Sequence, residues 1–256
     1  MMQAQIDGPV VCIADVHGSY QQTETLLDFL ITKRLHKDRW LCFLGDFVDI
    51  GPNTCQTIDF LLNWMKSHPR MTACLGNHDH ALMIALGIIP SPYHAYYAAR
   101  IPTRSRRTLS SYGAKDAAEL CQKMPAAHKE FLRNLPWAIE HPDYLFVHAG
   151  LDPTEPYSEQ IANLRQKDTS TFKPKWLYSE RLAFCEPPPD TNKTLVSGHV
   201  ILKQPVITPR RILLDTGSGY GGPLTAILLP ERILILLNRT KEGIGGNSNA
   251  FSSRNS

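Results

Sequence analysis

Short apolar runs and amphipathic stretches alternate along the first third of the chain. Residues 10–14 (VVCIA) form an unbroken apolar run, the pattern of a strand covered on both faces. Residues 21–35 place Leu26, Leu27, Leu30 and Ile31 at helical spacing. A second apolar run at 40–44 leads to Gly45 and Asp46. A second helical pattern over 54–67 puts Ile58, Leu61, Leu62 and Met65 on one face, and a third run at 71–75 leads to Gly76-Asn77-His78-Asp79. The pattern predicts β-α-β-α-β, with short crossovers that imply a parallel sheet and right-handed connections. Each predicted strand ends in a polar cluster, and in open α/β sheets ligands bind beyond the carboxyl ends of the strands.

The middle of the chain breaks this rhythm. Residues 81–136 are richer in Pro, Tyr, Ala and Arg and read as a helical insertion over the sheet ends, with a short helix at 128–135. Strand patterns return at 144–147 before His148, at 194–197 before Gly198-His199, and at 211–214 before Asp215-Thr216-Gly217. Apolar runs at 224–229 and 232–237, separated by Pro230-Glu231, predict a hairpin. Residues 187–189, three prolines, read as a rigid linker. From 239 onward Gly, Ser and Asn dominate, so a folded domain is expected over 1–238 and a disordered tail over 239–256.

Composition adds mainly exclusions. A chain of 256 residues fits one domain with an insertion, and 43% hydrophobic with 20% charged residues supports an ordinary core. A net charge of +3 is too small to argue for a nucleic-acid polymer or an anionic membrane as partner. Cys12, Cys42 and Cys74 lie inside apolar runs and read as small buried hydrophobes. The six cysteines form no C-x-x-C pair, which argues against a zinc ribbon or a thioredoxin-type site. Neither a leader with a basic start and an apolar middle nor a run of about 18 apolar residues is visible, so a cytoplasmic, reducing location is expected.

The chemistry lies at the predicted strand ends: Asp15-x-His17, Gly45-Asp46-x-x-Asp49, Asn77-His78, His148 and His199. Carboxylate oxygen, amide oxygen and imidazole nitrogen are donors that suit Mn, Fe or Zn. Each piece alone is weak, since D-x-H recurs by chance and Gly-Asn is a turn signal. Jointly they are hard to explain structurally, because burying so many charged groups without a cation is costly.

The order D-x-H-G, G-D-x-V-D, G-N-H-D, H-A-G, G-H resembles the phosphoprotein phosphatase branch of the calcineurin-like metallophosphoesterases. The resemblance extends to Thr108-Leu109-Ser110-Ser111-Tyr112-Gly113 and to Gly221-Gly222-Pro223-Leu224-Thr225-Ala226. It is nearest to bacterial serine/threonine protein phosphatases and the related symmetrical diadenosine-tetraphosphate hydrolases. It implies an α/β sandwich of two mixed β-sheets flanked by helices. It also implies an enzyme that hydrolyses a phosphoester with a hydroxide held between two divalent metal ions, Mn foremost. On this resemblance Asp15 and His17 bind one metal, Asp46 bridges, and Asn77, His148 and His199 bind the other. His78 is then the general acid, oriented by Asp49. A phosphorylated protein is the first expected substrate and a dinucleoside polyphosphate the alternative; a phospho-ligand-binding module is the non-enzyme reading.

Two positions depart from the family pattern. Ile50 and Tyr178 stand where phosphate-binding arginines are usual, and neither side chain can reproduce a guanidinium fork. Arg104, Arg106, Arg107 and Arg181 are the candidate replacements, with Tyr178 and Asn77 as further substrate contacts. Tyr93, Tyr96 and Tyr97 are read as local packing in preference to a stacking platform for a nucleobase, and His80 as a helix-start histidine facing solvent.

Overall fold

The computed structural model describes residues 2–238; the tail expected at 239–256 lies outside them. Among the described residues, ten strands form two five-stranded sheets. The first sheet contains β1 (Val10–Ile13), β2 (Trp40–Phe43), β3 (Met71–Ala73), β9 (Leu224–Leu229) and β10 (Ile233–Leu237), in the order β10-β9-β1-β2-β3. The second contains β4 (Ala138–Glu140), β5 (Tyr144–Val147), β6 (Thr194–Ser197), β7 (Val206–Ile207) and β8 (Arg211–Leu213), in the order β4-β5-β6-β8-β7. Both are mixed. β1, β2 and β3 run parallel, as do β5, β6 and β8; strands in antiparallel pairing flank the parallel set on one side in the first sheet (β9 and β10) and on both sides in the second (β4 and β7). The short strands β4 and β7 carry little apolar pattern and were not legible as strands.

Strand alternation explains the sandwich. Val10, Cys12 and Ala14 face the second sheet with Cys42, Leu44 and Cys74, and meet Ile139, Phe146, Val196 and Ile212 there. Val11, Ile13, Leu41 and Phe43 point the other way, onto the helices. The three cysteines are free and fully buried in this inner layer, the setting their apolar neighbours predicted.

Helices α1 (Tyr20–Thr32) and α2 (Thr54–Ser67) cross between the first strands, and α3 (Asn77–Ala85) starts directly at the end of β3. Five short helices follow: α4 (His94–Ala98), α5 (Ile101–Arg104), α6 (Arg106–Ser111), α7 (Ala117–Lys123) and α8 (Ala126–Arg133). α9 (Tyr157–Gln166), α10 (Lys175–Tyr178) and α11 (Glu180–Ala183) lie between β5 and β6. Among the described residues, no helix is long and apolar enough to cross a membrane.

Candidate metal centre and adjoining cavity

The two sheets aim their parallel strand ends at one place. β1, β2 and β3 deliver Asp15 with His17, Asp46 with Asp49, and Asn77 with His78, while β5, β6 and β8 deliver His148, His199 and Asp215. His17, Asp46, Asp49 and His199 all have positive φ, between 47° and 70°. Strained backbone of this kind concentrates at functional sites. Ile50, at φ 58°, is the costliest case, because a β-branched side chain crowds the backbone there. Two glycines allow the close approach. A Cβ on Gly198 would sit 1.7 Å from Asp15 Oδ1, and one on Gly76 would sit 2.0 Å from Asp46 Oδ1.

The six residues expected to hold metals come together. Asp46 Oδ2 lies 3.5 Å from His17 Nε2 and 3.4 Å from His148 Nε2. His148 Nε2 and His199 Nδ1 each lie 2.9 Å from Asn77 Oδ1, so three potential ligand atoms converge on one small volume. His17 Nδ1 and His148 Nδ1 are held by the carbonyls of Val48 and Leu44, which fixes the tautomer and leaves each Nε2 for the centre. Asp46 belongs to two possible ligand triads, one with His17 and His78 and one with Asp15 and His148. Asp15 Oδ1 is buried and has no hydrogen-bond partner, an expensive state for a charged oxygen unless a cation satisfies it. The donor set therefore fits two divalent ions sharing Asp46.

Electrostatics agree with that fit. Burial, with Asp215 alongside, raises the Asp15 carboxyl well above its ordinary value. Burial works to raise Asp46 too, but His148 and His78 hold it below the usual carboxylate range. Burial works to lower His78, yet Asp46 and then Asp49 push it up to about 9. The His78 imidazole lies 2.8 Å from Asp49 Oδ2 through Nδ1, and its backbone N–H donates to Asp46 Oδ1 at 2.8 Å.

Two buried carboxylates here had no assigned role in the sequence. Asp79 accepts from the backbone N–H groups of Phe47, Val48 and Gly76, and so ties the loop after β2 to the start of α3. Burial raises its pKa to about 7. Asp215 is raised to about 6 by burial and accepts from Gly217 N–H at 2.9 Å.

A cavity opens beside His78, lined by Asp49, Asn77, Tyr96, Tyr97, Arg100, Arg104, Lys173 and Tyr178 among others. Of the four arginines proposed from sequence, only Arg104 lines it. Ser105 and Thr108 are buried at helical spacing, which turns Arg106 and Arg107 outward to solvent. Arg181 fails for another reason: α10 ends at Tyr178 and α11 begins at Glu180, so the helical spacing from Tyr178 is broken. Its side chain is 74% exposed and faces Asp152 at 3.9 Å. Arg100 and Lys173 line the cavity instead; neither sits in a recognisable motif. Arg100 stacks on Tyr96, 3.4 Å from the ring centroid, and donates to the Tyr96 carbonyl at 2.8 Å.

His80 is not at the surface. It is fully buried against Tyr97, Trp137 and Tyr178, and burial lowers its pKa to about 4. The first turn of α3 points it inward because that helix packs under the insertion and not on the rim. Tyr178 Oη donates to the Asn77 carbonyl at 3.1 Å and therefore accepts from His80 Nδ1 at 2.9 Å. The tyrosine that stands in an arginine's place thus steadies the start of α3. Tyr93, Tyr96 and Tyr97 pack on Phe172, as the local-packing reading expects, and Tyr96 and Tyr97 also line the cavity.

Comparisons with known proteins find relatives over most of the chain. The family model for calcineurin-like phosphoesterases covers residues 8–225. A symmetrical bis(5'-nucleosyl)-tetraphosphatase from Janthinobacterium sp. (strain Marseille) is 26% identical, across 85% of this chain and 93% of that protein. A crystal structure provisionally described as a diadenosine tetraphosphatase aligns with a TM-score of 0.61 at 23% identity, over 94% of this chain and all of the other. The cold-active protein-tyrosine phosphatase of a Shewanella species aligns with a TM-score of 0.60 at 18% identity, over 93% of this chain and 80% of the other. At those identities the two structures speak for the fold alone.

Proposed function

Since the chain belongs to the calcineurin-like phosphoesterase family and is a metallophosphoesterase, we propose that it hydrolyses dinucleoside polyphosphates, splitting a bis(5'-nucleosyl) tetraphosphate into two nucleoside diphosphates. The observation that carries this choice over a phosphoprotein is the cavity beside His78. It combines aromatic walls (Tyr96, Tyr97) with three cations (Arg100, Arg104, Lys173). Several cations in one cavity suit a chain of phosphates, and the tyrosine edges beside them give it a partly apolar wall. The symmetrical tetraphosphatase activity named for the Janthinobacterium relative supports the same reading.

In this reading Asp15, His17, Asp46, Asn77, His148 and His199 hold two divalent cations. The chemistry such cations supply is acidification of a water near neutral pH and neutralisation of charge on the phosphoryl oxygens. The chain does the rest. Asp46, flanked by His17 and His148, keeps its charge at the centre. Arg104, Arg100 and Lys173, which line the cavity, hold the far phosphates. Water gives up a proton to solvent and adds to phosphorus, the bridging P–O bond breaks, and His78 delivers a proton to the oxygen of the departing nucleoside diphosphate.

The test is product analysis with a phosphoserine peptide and diadenosine tetraphosphate offered together, Mn added. ADP as the dominant product supports the proposal. Phosphate release from the peptide as the dominant reaction overturns it in favour of a protein phosphatase.

A further inference from the structure

Thr108 lies on α6, far in sequence from the strand ends, and is fully buried. It touches Asp49 twice. The Asp49 backbone N–H donates to Thr108 Oγ at 2.9 Å, and the Thr108 hydroxyl donates to Asp49 Oδ1 at 2.9 Å. The direction of both bonds is fixed. An amide N–H can only donate, so the threonine oxygen accepts there and its single proton is free for the carboxylate. Thr54 Oγ, 3.4 Å away, faces the remaining lone pair.

This double grip has a chemical consequence. Asp49 sits at φ 65° in the loop after β2, and a short carboxylate side chain there has more than one rotamer open to it. With Oδ1 occupied by Thr108, Oδ2 is turned to His78 Nδ1 at 2.8 Å. A carboxylate that accepts at both oxygens requires the proton on His78 Nδ1, which leaves Nε2 as the nitrogen that can serve a leaving group.

We infer that Thr108 is a positioning residue for proton delivery, acting on His78 through Asp49. The inference rests on the proposed acid role of His78. It also ties that acid to the insertion, because α6 follows directly on α5, which carries Arg104 into the cavity. Proton delivery is then correctly aimed when the insertion is seated.

A leaving-group series tests this without relying on activity loss alone. A departing p-nitrophenolate needs little protonation, whereas a departing phenolate needs it. The measurement compares kcat and KM for the p-nitrophenyl and phenyl esters of a nucleoside 5'-phosphate, for wild type and for Thr108→Val, Thr108→Ser and His78→Ala. For Thr108→Val, we expect kcat on the phenyl ester to fall about 10- to 100-fold, less than the roughly 10²- to 10⁴-fold worth of a general acid because His78 itself remains. On the p-nitrophenyl ester the fall is about threefold or less, because little proton transfer is required. KM should change little for either. Thr108→Ser, which keeps the hydroxyl, should restore phenyl-ester turnover. His78→Ala should show the same selectivity, only larger.

If Thr108→Val loses both esters equally, or neither, while His78→Ala is selective, the positioning role is overturned and the acid role stands. If His78→Ala is itself unselective, the acid role fails, and this inference with it. Should Thr108→Val not fold, Thr108→Ala gives the same comparison.

Discussion

The floor of the site and its wall are built differently. The floor consists of strand-end residues that are buried or nearly so, and their orientation is set by backbone groups: Val48 and Leu44 carbonyls for two histidines, the His199 N–H for Asp15, the His78 N–H for Asp46. The wall consists of side chains from α4, α5 and the segment before α10, held by contacts with one another, such as Arg100 on Tyr96 and Tyr96 on Phe172. Phe172 itself is 40% exposed. A floor tied to two sheets cannot shift without disturbing the core, whereas a wall of mutually stacked side chains can change identity residue by residue. On the proposed function, the difference would separate chemistry, assigned to the floor, from substrate choice, assigned to the wall.

The largest effect should come from the shared carboxylate. Asn at position 46 keeps the size and tolerates φ 51°, and its amide oxygen can still accept from the His78 N–H. It removes the charge between His17 and His148. We expect Asp46→Asn to lose bound metal, measured by elemental analysis after gel filtration, and about 1,000-fold or more in turnover, since both ions depend on that group. Full metal content in this variant would mean that the floor does not need the bridge.

Smaller effects are expected on the wall. Arg104→Ala and Arg100→Ala should each raise KM for a dinucleoside tetraphosphate about 10- to 100-fold, the worth of one or two charge-assisted hydrogen bonds. Metal content and kcat should stay near wild type. A fall in kcat with KM unchanged would move these arginines from holding the substrate to the chemical step, and the contrast between floor and wall would collapse at that point.

Legibility in the sequence follows the same division. Asp15, His17, Asp46, Asn77, His148 and His199 each stand one to three residues past a predicted strand run, so the run marks the strand and the strand's end marks the site. The sandwich of two sheets was legible only through the family resemblance, because periodicity alone does not say which strands share a sheet. The wall was largely hidden. Arg100 and Lys173 lie far apart in sequence, each in a connection between short helices that carries no repeating pattern. His80 was misread because burial by a neighbouring insertion leaves no trace in local spacing. Arg181, three positions after Tyr178, lies outside the cavity lining because the chain leaves the helix at Ser179, a break that local sequence does not mark. Thr108 lay inside a quoted motif, yet its bond to Asp49 spans 59 positions and only the fold brings them together.

The smallest expected effect sharpens the wall's outer limit. Arg106, Arg107 and Arg181 are exposed and do not line the cavity. An exposed cation acts on an anionic substrate mainly through its field, which salt screens over about 8 Å at physiological ionic strength. The double variant Arg106→Ala/Arg107→Ala, and Arg181→Ala separately, should therefore lower kcat/KM less than about twofold at 0.15 M salt, rising modestly at low salt where steering persists. Arg104→Ala should keep most of its defect at high salt, because a contact inside a cavity is screened much less. The comparison of salt dependences is more informative than either magnitude. If the Arg106/Arg107 variant shows a large defect that salt does not erase, those side chains touch the substrate, and the wall extends beyond the cavity onto the outer face of α6.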